Sequence, residues 1–411
     1  MANIRPFQCI RPNETVAGRV AALPYDVYNR EEAKAEVEKE PLSFLKIDRA
    51  ETQFDDSVDM YDNRVYQKAK DLLEENIAEG IFIDDTQECY FIYELIMKGR
   101  AQTGLVACAS IDDYLNKVIK EHEKTREDKE LDRIRHVDTC NAQTGPIFLA
   151  YRSNSKINAV INEVKKTKPI YGFTALDGIV HNVWRIADLD KISSIQKEFS
   201  AINNIYIADG HHRAASAVKV GLKRREACKG YNGTEEFNYF LSVLFPEDQL
   251  MILPYNRVVK DLNGLNSKEF LDKVSKNFLV EELGNEAWNP ENKGSFGMYL
   301  KDKWYKLTMK EVIYNNDPVE SLDVSILQNY LLTPILGIGD PRTDKRIDFI
   351  GGIRGLKELE KRVKEDMAVA FSMYPTGINE LFAVSDAGKL MPPKSTWFEP
   401  KLRSGLFIHR I

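Results

Sequence analysis

The chain has 411 residues, 43% hydrophobic and 29% charged, with a formal net charge of -6 at pH 7. That length predicts two or three domains rather than one core. The acidic balance argues against a protein whose main work is gripping a nucleic-acid backbone. No apolar run reaches the roughly eighteen residues a membrane helix needs, and residues 1–12 lack a signal-peptide core. Cys9, Cys89, Cys108, Cys140 and Cys228 are odd in number, scattered and never spaced C-x-x-C. This is the pattern of reduced thiols in the cytoplasm, without zinc-site spacing. A P-loop is absent, so a nucleotide would have to be held another way.

In chain order, Asn29 is placed to cap a Glu- and Ala-rich helix that Pro41 stops. Residues 65–78 have helical amphipathic spacing. Residues 88–95 and 105–109 read as strands, with Gly99-Arg100 in the hairpin turn between them. From Lys120 to Glu130 no residue is apolar. At helical spacing, His122, Arg126, Lys129, Arg133 and His136 would form one cationic stripe beside Glu123, Glu127 and Glu130. Such a helix either carries exposed ion pairs or lines a site for a polyanion.

Gly145-Pro146 breaks the chain before a strand over 147–151, and residues 160–164 suit a helix face. Residues 179–186 make a strand in which His181 is a packed residue rather than a catalytic one. The most informative stretch follows: Ile205 to Ala208 as a short buried strand, Gly210 as a tight turn, then an Ala-rich helix from Ala214. A strand turning through glycine into a helix aims unpaired backbone N–H groups at whatever lies beyond the strand end. Asp209, His211, His212 and Arg213 stand in that mouth. Arg213 can fork onto a phosphate and an imidazole can shuttle protons. Asp209 can act as base, hold a metal or cap the helix. Adjacent histidines project differently, so one of the two would face a ligand.

Beyond the turn, residues 219–232 read as a basic, glycine-punctuated loop, and 239–245 as a strong strand. Pro246-Glu247-Asp248 is a candidate boundary. A strand continues over 250–259 around Pro254, one amphipathic helix with irregular strands fills 266–310, and helical patterns recur at 322–332 and 356–368. The tail from Met391 is stiffened by three prolines. Lys394, Ser395, Thr396 and Lys401 supply donors suited to phosphate, while Trp397, Phe398, Leu402, Leu406 and Phe407 are too apolar to dangle.

Taken together, the motifs resemble the DUF1015 family. The resemblance rests on His122-Glu123-Lys124-Thr125 with Asp132-Arg133, on Ala208-Asp209-Gly210-His211-His212-Arg213, and on the Met391-to-Lys401 tail. Arg5-Pro6-Phe7, Leu23 to Val27, and Leu253-Pro254 with Arg257 also match, with Tyr255-Asn256 where the family more often has threonine and histidine. The Asp209–Arg213 stretch is further similar to the phosphate-holding motif of the ParB/sulfiredoxin-like superfamily, which includes free-serine kinases.

The resemblance implies a mixed α/β (α+β) fold. Residues 1–245 would form a ParB/sulfiredoxin-like phosphate-binding core, and 246–411 a C-terminal α+β domain whose tail docks on the site. It implies phosphoryl transfer from ATP, with Mg²⁺, to free L-serine, giving O-phosphoserine. Gly210, Arg213, Arg133, Lys394, Ser395 and Thr396 would hold phosphate. His122, Glu123, Asp209, His211 and His212 would carry the chemistry, with Asp209 or Glu123 as the base and Asp209 as the candidate metal ligand. The expected partners are a nucleotide and a small amino acid, without nucleic acid or membrane. Two rivals differ in class: a nucleotide-dependent ParB-like switch, and a metal-dependent phosphohydrolase using His122, His211, His212 and carboxylates.

Overall fold

The computed structural model describes residues 1–310 and 316–411 of a mixed α/β chain. Two compact units divide it: Met1–Leu250 together with Pro400–Ile411, and Met251–Glu399.

The first unit is organised by a nine-stranded sheet. Its order runs Ile119–Lys120, Ile205–Asp209, Ile147–Tyr151, Tyr239–Pro246, Arg100–Ser110, Tyr90–Met97, Val180–Ile186, Tyr171–Thr174, with Ile4–Arg5 added to Arg100–Ser110. The central hairpin forms, with its turn one residue earlier than expected: Lys98 and Gly99 take left-handed backbone angles (φ 51 and 78), matching the twist of the strands they join, and Arg100 already pairs with Met97. The strands at 147–151 and 180–186 also stand where the apolar runs put them. Ile92, Leu105, Leu149, Val218 and Ile207 meet in its core, all below 5% exposed. His181 is packed, stacked on Tyr93 and Phe173, with Tyr93 Oη 2.8 Å from its Nδ1.

A second, four-stranded sheet joins Phe82–Asp84, Cys9–Pro12, Ile408–Arg410 and Ala142–Gln143, so the last strand of the chain is built into the first unit. The amphipathic helix Asn63–Ala78 covers this sheet with Ile10, Phe44, Leu73 and Ile408. Asn29 caps the helix Arg30–Lys39 in a capping box with Glu32.

Two expectations fail. The charged stretch is not one helix: Ile119–Lys120 is a strand, residues 121–126 are irregular, and the helix spans only Glu127–Cys140. His122 and Arg126 therefore leave the supposed stripe. His136 turns inward, its Nε2 3.2 Å from the Ile47 carbonyl. Nor is 219–232 a loop. The helix that starts at His211 runs to Ala227, because Gly221 serves as a contact: a Cβ there would sit 2.4 Å from the Phe237 carbonyl oxygen.

In the second unit a six-stranded sheet runs Phe278–Gly284, Lys303–Met309, Ser295–Leu300, Val369–Ser372, Tyr255–Val259, Ile347–Gly351. The helix Leu356–Glu365 packs on it through Leu359, against Val258, Tyr299, Trp304 and Ala370. Met251–Leu253 pairs separately with Trp397–Glu399. The pattern at 322–332 becomes a helix over Asp323–Leu327 continued by a π-helical turn, Gln328–Leu332, and the pattern at 356–368 stops at Glu365. Among the described residues, no helix is long and apolar enough to cross a membrane.

Candidate functional site

The strand Ile205–Asp209 ends at Gly210, whose φ of +93 is the left-handed conformation glycine adopts most cheaply, and the helix His211–Ala227 starts at once. No side chain caps that helix, so its first N–H groups stay directed out of the turn. Asp209 is not the cap: its Oδ1 accepts from the Gly210 N–H at 2.8 Å and its Oδ2 accepts from Lys401 Nζ at 3.1 Å. Burial opposes its ionisation, but Lys401 and then Arg213 outweigh it and hold the carboxyl far below the usual carboxylate range. Lys401 belongs to the closing segment of the first unit, so one tail lysine reaches the turn. Lys394, Ser395 and Thr396 lie in the second unit.

Arg213 folds back over the turn. Its Nη1 donates to the Pro146 carbonyl at 2.5 Å, and a Cβ on Gly210 would lie 3.1 Å from its Nε. Together with Arg133 it lines a cleft walled also by Tyr25, Asp48, His136, Thr144 and Ser404. The two arginines are not equivalent. Arg133 is buried against Asp132 at 2.8 Å and lies 4.0 Å over the Tyr25 ring. Its charge is answered by a bonded carboxylate, whereas Arg213, near enough to Asp209 to lower its pKa, bonds to a carbonyl and so suits an incoming anion better.

On the other side of the turn, His122, Glu123 and His211 converge. The parallel register Ile119↔Ile205, Lys120↔Tyr206 carries residues 121–123 alongside the end of the central strand. The rings of His122 and His211 meet edge to face at 4.5 Å, and His211 Nδ1 lies 3.9 Å from Glu123 Oε2. One donor atom from each of the three lies within 4.8 Å of the others. His122 is 2% exposed and its Nδ1 has no hydrogen-bond partner. Burial pushes the His122 pKa well down, assisted by His211, and pushes His211 down to about 4. Both are neutral rings able to offer a lone pair. Two imidazoles and one carboxylate suit a transition-series ion such as Zn²⁺, Mn²⁺ or Fe²⁺. They fit Mg²⁺ poorly, since it takes oxygen ligands and retains water.

His212 faces away from this cluster, its Nε2 accepting the Arg126 N–H at 3.0 Å. The structure thus gathers His122, Glu123, Asp209, Gly210, His211, Arg213 and Arg133 around one turn. Lys401, expected as a phosphate-suited donor of the tail, joins them through Asp209, and Tyr25 and Asp48 join them without having been assigned to the site. For Tyr25 the available signal was the Leu23-to-Val27 motif; for Asp48 there was none.

The comparisons follow. Among solved structures, a free serine kinase variant in complex with AMP is similar to this chain at 13% identity and a TM-score of 0.35, covering 75% of this chain and 94% of that one. SbnI from Staphylococcus aureus, with a C-terminal truncation, is similar at 11% identity and a TM-score of 0.38, covering 72% and 85%. A conserved hypothetical protein from Pyrococcus furiosus is similar at 14% identity and a TM-score of 0.33, covering 76% and 96%. Likeness of this degree assigns no residue a role. No curated protein matches the chain. A family model described as a protein of unknown function matches residues 4–325, and on that match the chain belongs to the DUF1015 family.

Proposed function

We propose that this protein carries out metal-assisted phosphoryl-group chemistry on a nucleotide at the Asp209–Arg213 turn. The observation that carries the reading is the convergence of His122, Glu123 and His211 on one side of a turn whose other side presents Arg213 and an uncapped helix start. Phosphoryl transfer needs positioning and charge neutralisation more than covalent help. Arg213 and the N–H groups following Gly210 would hold the phosphate oxygens. A divalent ion held by His122 and His211 would add positive charge beside the transferred group, with the neighbouring Glu123 kept for the proton.

Of the two carboxylates, Glu123 is the better base. Its side chain is 53% exposed and beside His211, while Asp209 is tied to Lys401 and too weakly basic to take a proton readily. The acceptor O–H would lose its proton to Glu123 as its oxygen bonds to phosphorus and the bond to the leaving nucleotide oxygen breaks. With water as acceptor the products are the shortened nucleotide and inorganic phosphate, and the protein is a metal-dependent phosphohydrolase. The histidine-rich donor set favours this reading. The second reading, a ParB/sulfiredoxin-like kinase transferring the group to L-serine, is favoured by the resemblance of the Asp209–Arg213 motif to free-serine kinases.

One experiment separates them: ³¹P NMR of full-length protein with ATP, with and without L-serine, in Mg²⁺, Mn²⁺ or Zn²⁺. Inorganic phosphate formed without serine supports hydrolysis, and phosphoserine supports the kinase. ATP unchanged under every metal contradicts both.

A further inference from the structure

Among the described residues five arginines are buried: Arg11, Arg49, Arg133, Arg257 and Arg403. Four of them meet a carboxylate: Asp85, Glu51, Asp132 and Asp177 respectively for Arg11, Arg49, Arg133 and Arg403. Arg257 does not. It lies on the strand Tyr255–Val259 of the second unit, paired on one side with Ile347–Gly351 and on the other with Val369–Ser372. It is 4% exposed. Its Nη1 donates to the Tyr255 carbonyl and its Nη2 to the Lys394 carbonyl at 3.2 Å, and the Phe349 ring centroid lies 5.4 Å from its Cζ. Carbonyl dipoles and a ring face answer part of a positive charge, but supply no negative one. A guanidinium does not escape burial by losing its proton under ordinary conditions, so such a position is costly unless a counter-ion arrives. Burial pulls even this group's pKa down, to about 10.

The neighbouring loop adds a second cation rather than an anion. Lys394, exposed and held at φ 57, has its Nζ 5.4 Å from the Tyr255 ring centroid. The loop is pinned around it: Ser395 Oγ donates to the Pro392 carbonyl at 2.6 Å, and Thr376 Oγ1 donates to the Ser395 carbonyl at 2.9 Å. The one carboxylate of this stretch, Glu399, accepts from Trp397 Nε1 at 2.7 Å. The two cationic residues are thus neighbours in the second unit, joined by the hydrogen bond from Arg257 to the Lys394 carbonyl.

We propose that Arg257 and Lys394 form a subsite for a small oxyanion, the phosphate or carboxylate group of a ligand. Both groups present the paired oxygens a guanidinium fork matches. The inference stands on the second unit alone and does not depend on the reading of the Asp209–Arg213 turn.

The test uses full-length protein carrying Arg213→Ala, which removes the proposed phosphate contact of the first unit. Unfolding midpoints and calorimetric titrations are measured with inorganic phosphate and, separately, with acetate. The expected result is a midpoint rise with at least one anion, and the one that acts names the ligand's group. Adding Lys394→Ala, a surface change, should weaken that binding about tenfold. Adding Arg257→Met should abolish it, because no guanidinium is left to bind the anion. Two results would overturn the inference: no response to either anion, or a response that both substitutions leave intact.

Discussion

Asp209 and Glu123 are both carboxylates beside His211, yet their surroundings give them different work. Asp209 is fixed by Lys401 and the Gly210 N–H; Glu123 projects outward with its oxygen 3.9 Å from the ring. Glu123→Gln should therefore lower turnover about a hundredfold or more, the scale of a lost general base, with KM little changed in steady-state assays. His122→Ala should leave the fold intact by circular dichroism and lower bound transition metal in the purified protein. Metal retained at the wild-type level would remove His122 from the donor set. Asp209, Gly210, His211 and Arg213 were legible in the sequence because one turn carries them all. The partnership of His122 with His211 was expected only through the family resemblance and not from spacing, since 89 positions separate them and the parallel pairing of two short strands brings them together.

Element by element, periodicity succeeded where burial is one-sided and failed where contacts override it. The strands Ile147–Tyr151 and Val180–Ile186 and the helix Asn63–Ala78 follow their apolar spacing. The charged stretch had helical spacing over its whole length, but residues 121–126 leave the helix so that His122 can be buried, a tertiary demand without a local signal. Glycine misled in the opposite direction. Gly221 reads as a loop marker, yet it lets the helix His211–Ala227 approach the backbone at Phe237. Gly221→Ala should destabilise the protein by about 1–3 kcal/mol through overpacking, less the roughly 1 kcal/mol that alanine gains in helix propensity. Chemical denaturation reads the net change. A variant as stable as the parent or more stable would mean that the contact yields.

At the scale of the molecule, the buried histidines set the acid response. His181 and His409 lie outside the candidate site and His136 lines its cleft, and burial lowers the pKa of each, His181 to about 3. Such a group binds fewer protons folded than unfolded between its folded pKa and about 6.5. Stability therefore rises with pH through that window and is lost as pH falls. For each fully buried ring the slope is at most about 1.4 kcal/mol per pH unit, so midpoints measured between pH 7 and pH 4 should fall steeply. A flat profile would mean that these rings stay accessible to protons. The placement of phosphate chemistry at the Asp209–Arg213 turn is tested most directly by ATP turnover, followed by ³¹P NMR, in wild type, Arg213→Lys and Arg213→Ala under one metal condition. Losing a charge-assisted contact made in the transition state should slow Arg213→Ala about ten- to a hundredfold. Arg213→Lys should fall nearly as far, because an ammonium cannot reproduce the fork. Near-wild-type turnover in Arg213→Ala would contradict the assignment of the turn as the reaction centre.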